Sequence, residues 1–234
     1  MASKPSGIAR EAATLGNVVA AGVFLAAIAP FVYRAVEAGI TGDQPAALIG
    51  AALLGAVAAD LASGLVHWAC DTFFAEDTPV IGRALILPFR EHHRDPLALT
   101  RRTFLRVSAS NFLGSTGVLA VVWLLGTSIG VAASPLFDVW ATILTGSLAV
   151  TNQIHKWAHL PHVPRPIVWL QTVRLILTPA GHDQHHATGA GAFCITTGWL
   201  NPALDRLAAF AALERMIDAL GRRRLAPLHA DGRR

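Results

Sequence analysis

The chain has 234 residues, of which 53% are hydrophobic and only 15% charged, well below the roughly 25% charged usage of water-soluble domains. That balance points to lipid surroundings, and no Ser/Gly-rich linker, low-complexity tract or repeat divides 1–234 into more than a single membrane domain. The net charge of +4 does not indicate a nucleic-acid partner, because the basic residues follow membrane sidedness instead of forming a binding face.

The opening MASKPSGIAREAA lacks the n-region, apolar core and cleavage site of a removable signal peptide, so the first apolar run is expected to stay in the mature protein. Four apolar stretches have about the twenty residues that a bilayer core demands of a helix, at about 14–33, 45–70, 108–130 and 135–158. The second and fourth exceed that requirement, which puts their C-terminal turns, with His67 and Asp71 in one and His155 and His159 in the other, beyond the acyl layer on one side. Residues 71–107 and 159–234 then cap that side, while 34–44 and 131–134 face the other. Arg83, Arg90, Arg94, Arg101, Arg102 and Arg106 fill the first cap segment, and Arg165, Arg174, Arg206, Arg215 and Arg222 to Arg224 fill the second. Of nineteen Lys and Arg, only Arg34 falls on the opposite side, so the positive-inside rule makes both termini and the cap cytoplasmic.

After the fourth span Pro161, Pro164 and Pro166 stop the helix, and residues 166–177 resume an amphipathic pattern with Gln171 and Arg174 on the polar side. This stretch and LDRLAAFAALERMIDALGRRR are predicted to be interfacial helices. Cys70 and Cys194 both fall on the cytoplasmic side, where thiols stay reduced and no disulfide is expected. High Ala, with seventeen Arg against two Lys, fits a GC-rich bacterial source and hence the inner membrane.

Eight of the ten histidines form a pattern: His67, His92 with His93, His155 with His159, and His182 with His185 and His186. Residues three or four apart share a helix face, so His155 and His159 can hold one metal ion, as can His182 with His185 or His186. Asp60, Gly64, His67 and Asp71 make one polar stripe on the second span, with Asp71 a candidate carboxylate ligand. Asn152, one turn before His155, together with Asp95 and Asp183, could orient ligand imidazoles from behind. Eight imidazoles and a carboxylate exceed what one zinc takes from protein and suit two iron ions with positions open for oxygen. The set lacks the Glu-x-x-His pairs of soluble di-iron bundles. His162, after Pro161, and His229, in the charged tail, fall outside the pattern and are expected at the surface.

The stretches DLASGLVHWACDTFF, PFREHHRDP, TNQIHKWAH, HDQHH and FCITTGWLN resemble the lipid desaturase family that includes plasmanylethanolamine desaturase and CarF, with plant fatty acid desaturase 4 more distant. The resemblance runs from about Asp60 to Arg215 and places the family's metal ligands on His67, Asp71, His92, His93, His155, His159, His182, His185 and His186. It implies an all-α integral membrane enzyme that uses two Fe ions and O2 to desaturate the sn-1 alkyl ether of an ethanolamine phospholipid. The segment ATGAGA after HDQHH departs from the plasmalogen-type pattern, which has a further histidine there; that departure bears on head-group or chain specificity. Arg90 and Arg94 are candidates to hold a lipid phosphate, and Trp68, Trp157 and Trp199 to line a lipid groove, although interfacial anchoring explains most tryptophans, Trp169 included, equally well.

No flavin or dinucleotide fingerprint and no cysteine cluster is present, so the two electrons must come from an external donor of cytochrome b5 or ferredoxin type with its reductase. Within the same metal chemistry, a fatty-acyl desaturase or a hydroxylase is the alternative. A haem-binding protein fits adjacent histidine doublets poorly. A metal transporter would put its ligands near the bilayer midplane and not at one surface.

Overall fold

The computed structural model describes residues 7–42 and 44–220. Among them there is no strand; nine α-helices run in the order α1 (Gly7–Thr41), α2 (Pro45–Thr72), α3 (Leu87–Arg94), α4 (Phe104–Ser128), α5 (Pro135–His159), α6 (Arg165–Thr172), α7 (Pro179–Thr188), α8 (Asn201–Arg206) and α9 (Ala209–Ala219). Two compact units form, one from Met1–Ala56 and Arg102–Val150 and the other from Val57–Arg101 and Thr151–Arg234, so α2 and α5 each contribute to both.

In the first unit α1 packs along α4 through Phe24, Ile28, Phe31, Phe112 and Leu119, joined by Phe137 of α5. Outside this seam the helices are apolar: Leu25 is 61%, Leu54 64% and Leu125 61% exposed. A surface of that kind is unfavourable in water and natural against acyl chains. Three helical stretches, Thr14–Thr41, Pro45–Thr72 and Phe104–Ser128, are long and apolar enough to cross a membrane. The helix that carries the expected fourth span, α5, is 25 residues long and is not among them. Thr142, Thr145, Ser147, Thr151, Asn152 and Gln153 dilute its apolar run.

The first helix continues to Thr41, well past the expected end at 33. Asp138, only 2% exposed, accepts from Arg34 Nε at 2.8 Å and Nη2 at 2.6 Å. A two-pronged pair of this kind satisfies a buried carboxylate and makes it favourable for α1 to extend far enough to present the guanidinium.

The second unit holds the C-terminal half of α2, the end of α5 and all the short helices. Its aromatic core is Trp68, Phe193 and Phe210, with Phe73, Leu213 and Ile217 against it. Trp68 is buried and its Nε1 donates to Glu214 Oε1 at 2.9 Å, so it packs α9 onto α2 and lines no lipid groove. Residues 82–86 form a single π-helical turn that leads into α3. Thr178 caps α7, accepting from Gly181 N at 3.2 Å, and Gly189 ends it at φ 61°.

The helix expected over 166–177 covers only Arg165–Thr172, because the chain turns at Arg174, φ 57°, whose carbonyl accepts from Trp199 Nε1 at 2.5 Å. Gln171, expected on a polar face, is buried. The C-terminal amphipathic stretch is not one helix: residues 204–206 end α8, the chain breaks at Ala208, φ 48°, and Ala209–Ala219 forms α9, while Arg222 to Arg224 and His229 lie outside the described residues. Gly64 lets the irregular segment 191–200 lie directly on α2: a Cβ there would sit 2.6 Å from Cys194 Sγ.

Candidate metal centre

Four helices of the second unit present the nine expected ligands, and helix periodicity distributes them. Adjacent helical residues point about 100° apart, so a His-His doublet cannot serve a single ion from one direction. The doublets are divided accordingly. His92, His155, His159, His182 and His186 form one group and His67, Asp71, His93 and His185 a second; within each group, one ligand atom per residue lies within 4.8 Å of all the others. His182 is therefore grouped with His186, one turn on, and not with His185.

In the first group the Nε2 atoms of four rings converge. His182 Nε2 lies 2.7 Å from His155 Nε2, 2.9 Å from His159 Nε2 and 3.0 Å from His186 Nε2, and His155 and His159 are 3.2 Å apart. Nitrogens that each bind one ion at about 2.1 Å in neighbouring positions stand about 3 Å apart, which is the spacing seen. In the second group Asp71 Oδ2 lies 3.1 Å from His93 Nε2, 3.2 Å from His67 Nε2 and 3.6 Å from His185 Nε2. His67 Nε2, Asp71 Oδ1 and His92 Nε2 are buried with no hydrogen-bond partner, the His67–Asp71 approach lacking hydrogen-bond alignment. Desolvated acceptors are costly unless a cation takes their lone pairs. The donor set thus fits two metal ions.

Tautomers in the second group are set from behind. His67 Nδ1 donates to Phe193 O at 3.0 Å and His185 Nδ1 to Gly191 O at 2.8 Å, which leaves each Nε2 free to ligate. In the first group His182 Nδ1 is buried without a partner.

Burial, reinforced by repulsion from neighbouring imidazoles, holds His92 and His182 well below the usual imidazole range and pushes His186 down to about 3. These rings are neutral at physiological pH, the state that metal binding requires. In the unfolded chain they titrate near 6.5, so the folded, metal-free protein binds fewer protons than the unfolded chain below that pH. Its stability is complete above pH 6.5 and declines as pH falls toward 3. Thermal unfolding of metal-free protein in detergent should therefore show a lower midpoint at pH 5 than at pH 7.5, with net proton uptake on unfolding. A midpoint that is flat or rises on acidification contradicts the burial of neutral imidazoles.

Of the remaining expected site residues, Asp183 acts electrostatically on His159. Arg90 donates to Phe74 O at 2.6 Å, and Arg94 pairs with Glu76 at 2.8 Å. Asp95 is exposed and accepts from Arg101 and from Leu97 N, so it orients no imidazole. Asp183 and His162 are exposed, and Asn152, Trp157 and Trp199 are half-buried. Sequence reasoning missed the acceptors that shape segment 191–201. Asp60, fully buried, accepts from Thr197 N and Gly198 N, both at 2.8 Å, and from Leu200 N at 3.0 Å. Ser63 accepts from Ile195 N at 3.1 Å. The stripe from Asp60 to Asp71 was visible in sequence, but Asp60 serves backbone, not metal.

A lipid desaturase domain matches residues 56–225. Plasmanylethanolamine desaturase of Myxococcus xanthus is 40% identical over 174 residues, 73% of this chain and 60% of that protein. Plasmanylethanolamine desaturase 1 of Mus musculus is 38% identical over 181 residues, 75% of this chain and 66% of that protein. Chloroplastic fatty acid desaturase 4 of Arabidopsis thaliana is 34% identical over 164 residues, 68% of this chain and 48% of that protein. The chain thus spans less than two thirds of the length of each of these relatives. No solved structure matches it. With the matched domain covering most of its length and all nine clustered residues, the chain belongs to the lipid desaturase family.

Proposed function

We propose that the protein is a membrane desaturase that holds two iron ions in these nine side chains. It removes two hydrogens from the sn-1 alkyl ether chain of an ethanolamine phospholipid, giving the vinyl ether of a plasmalogen. The observation that carries this reading is the convergence of eight imidazoles and one carboxylate into two adjoining, largely buried groups, joined to relatives named plasmanylethanolamine desaturase. Two bound irons and O2 would supply an oxidant that no side chain can. The atoms balance with one O2, two protons and two electrons from an external cytochrome b5 or ferredoxin type donor, yielding the alkene and two waters. The chain's own residues hold the ions, keep the imidazoles neutral and exclude water through burial of His67, His92, His155, His182 and His185. A cavity of about 450 Å³ beside the second group is lined by Asp71, Phe193 and Phe210.

In this reading α5 is the fourth span, α6 and α9 lie in the interface, and the site faces the cytoplasm beneath a bacterial inner membrane, where the arginines concentrate. A second reading, desaturation of a fatty-acyl chain, is favoured by the chloroplastic relative. Lipid analysis separates the two. A bacterium that lacks vinyl ethers is fed alkylglycerol and given this protein with a reductase system; acid-labile vinyl ethers should appear with the wild type and be absent with His186→Ala. New acyl double bonds without vinyl ether would select the second reading, and neither product, from stably expressed protein, would contradict both.

A further inference from the structure

Segment 191–201 treats the two groups of ligands unequally. Its carbonyls Gly191 O and Phe193 O receive the Nδ1 protons of His185 and His67, both in the second group, whereas it receives none from the first. Each of those carbonyls shares a peptide unit with an N–H that is itself held. Gly191 O is joined through its peptide to Ala192 N, which donates to Asp205 Oδ1 at 3.1 Å and Oδ2 at 3.2 Å. Phe193 O is joined in the same way to Cys194 N, which donates to Asn201 Oδ1 at 2.8 Å; Asn201 Nδ2 returns a bond to Cys194 O at 2.9 Å.

We infer that Asp205 and Asn201 are positioning residues for one metal ion of the pair, acting through two peptide relays: Asp205 through the 191–192 peptide onto His185, and Asn201 through the 193–194 peptide onto His67. The physical basis is that a peptide unit is a planar dipole. An acceptor at its N–H end fixes the plane and, when charged, polarises the carbonyl at the other end into a stronger acceptor. A stronger acceptor on Nδ1–H makes Nε2 a more basic, better-oriented ligand. Gly191 belongs to the device: it sits at φ 76°, and a Cβ there would lie 2.8 Å from Asp205 Oδ1. The first group has no such support on His182 Nδ1. Segment 191–201, together with Asp205, therefore acts on the metal from outside its coordination sphere and tunes only the ion bound by His67, Asp71, His93 and His185.

This inference rests on the two-metal reading, and the test keeps the two apart. The full chain, purified metal-free in detergent, is titrated anaerobically with ferrous iron, and bound iron per chain is measured. Wild type should bind two ions. In Asp205→Ala one of them weakens about 10- to 100-fold while the other is unchanged, and Asp205→Asn, which keeps an acceptor but loses the charge, falls between. Assignment comes from paired variants: Asp205→Ala should not change the single ion left in His67→Ala, and should weaken the single ion left in His155→Ala. Equal weakening of both ions, weakening of neither, or the reverse pattern in the paired variants would overturn the relays while leaving the two-metal reading intact. Should the wild type bind no iron, the proposed function fails and the relays fail with it.

Discussion

Replacement of His182 by Ala is expected to leave one bound iron in place of two and to lower vinyl-ether formation by more than about a hundredfold, since even partners outside the coordination sphere cost 10- to 100-fold. The magnitude follows from its place at the hub. His182 Nε2 is the atom within 3.0 Å of His155, His159 and His186 alike. Its removal takes a shared corner from the first group without touching His67, Asp71, His93 or His185. Iron content and lipid product, measured on the same membranes, check both halves; two irons with product unchanged would place the first group outside the chemistry.

Asp60→Ala is expected to be the most destabilising single change among the residues that shape the site. It strands three backbone donors, Thr197 N, Gly198 N and Leu200 N, around a fully buried position. At about 1–3 kcal/mol for each unsatisfied buried donor, the loss is about 3 kcal/mol or more. Asp60→Asn keeps an acceptor for the two N–H groups on Oδ1 but turns an amide N–H toward Leu200 N, so it should cost less. Unfolding in detergent, followed by circular dichroism, ranks the three proteins; Asp60→Ala as stable as wild type would mean that segment 194–201 holds its shape without the carboxylate.

The sequence made some of this legible because it follows from one dimension. Hydrophobic length located three helices that can cross a membrane, and the i, i+4 spacing of His155 with His159 placed both at one centre. What could not be read there depends on partners far along the chain. Arg34 and Asp138 are 104 residues apart, and their pairing is what accompanies the extension of the first helix. Asp60 finds its donors 137 to 140 residues later, so its role was invisible beside His67, with which it shares a helix face. Trp68 looked like a border aromatic, but its indole N–H meets Glu214 across 146 residues and pulls it into a core. The division of the doublets His92-His93 and His185-His186 was implicit in the 100° helical step, yet which imidazole goes to which group depends on how four helices are arranged around them.

Bound iron in the intact, membrane-expressed protein bears most directly on the two clustered ligand sets. With 57Fe supplied during growth and the protein purified without chelator, elemental analysis should give two irons per chain, and Mössbauer spectra should show them in two distinct nitrogen-rich environments, one with an added carboxylate. A single iron, or none, in folded protein would contradict it.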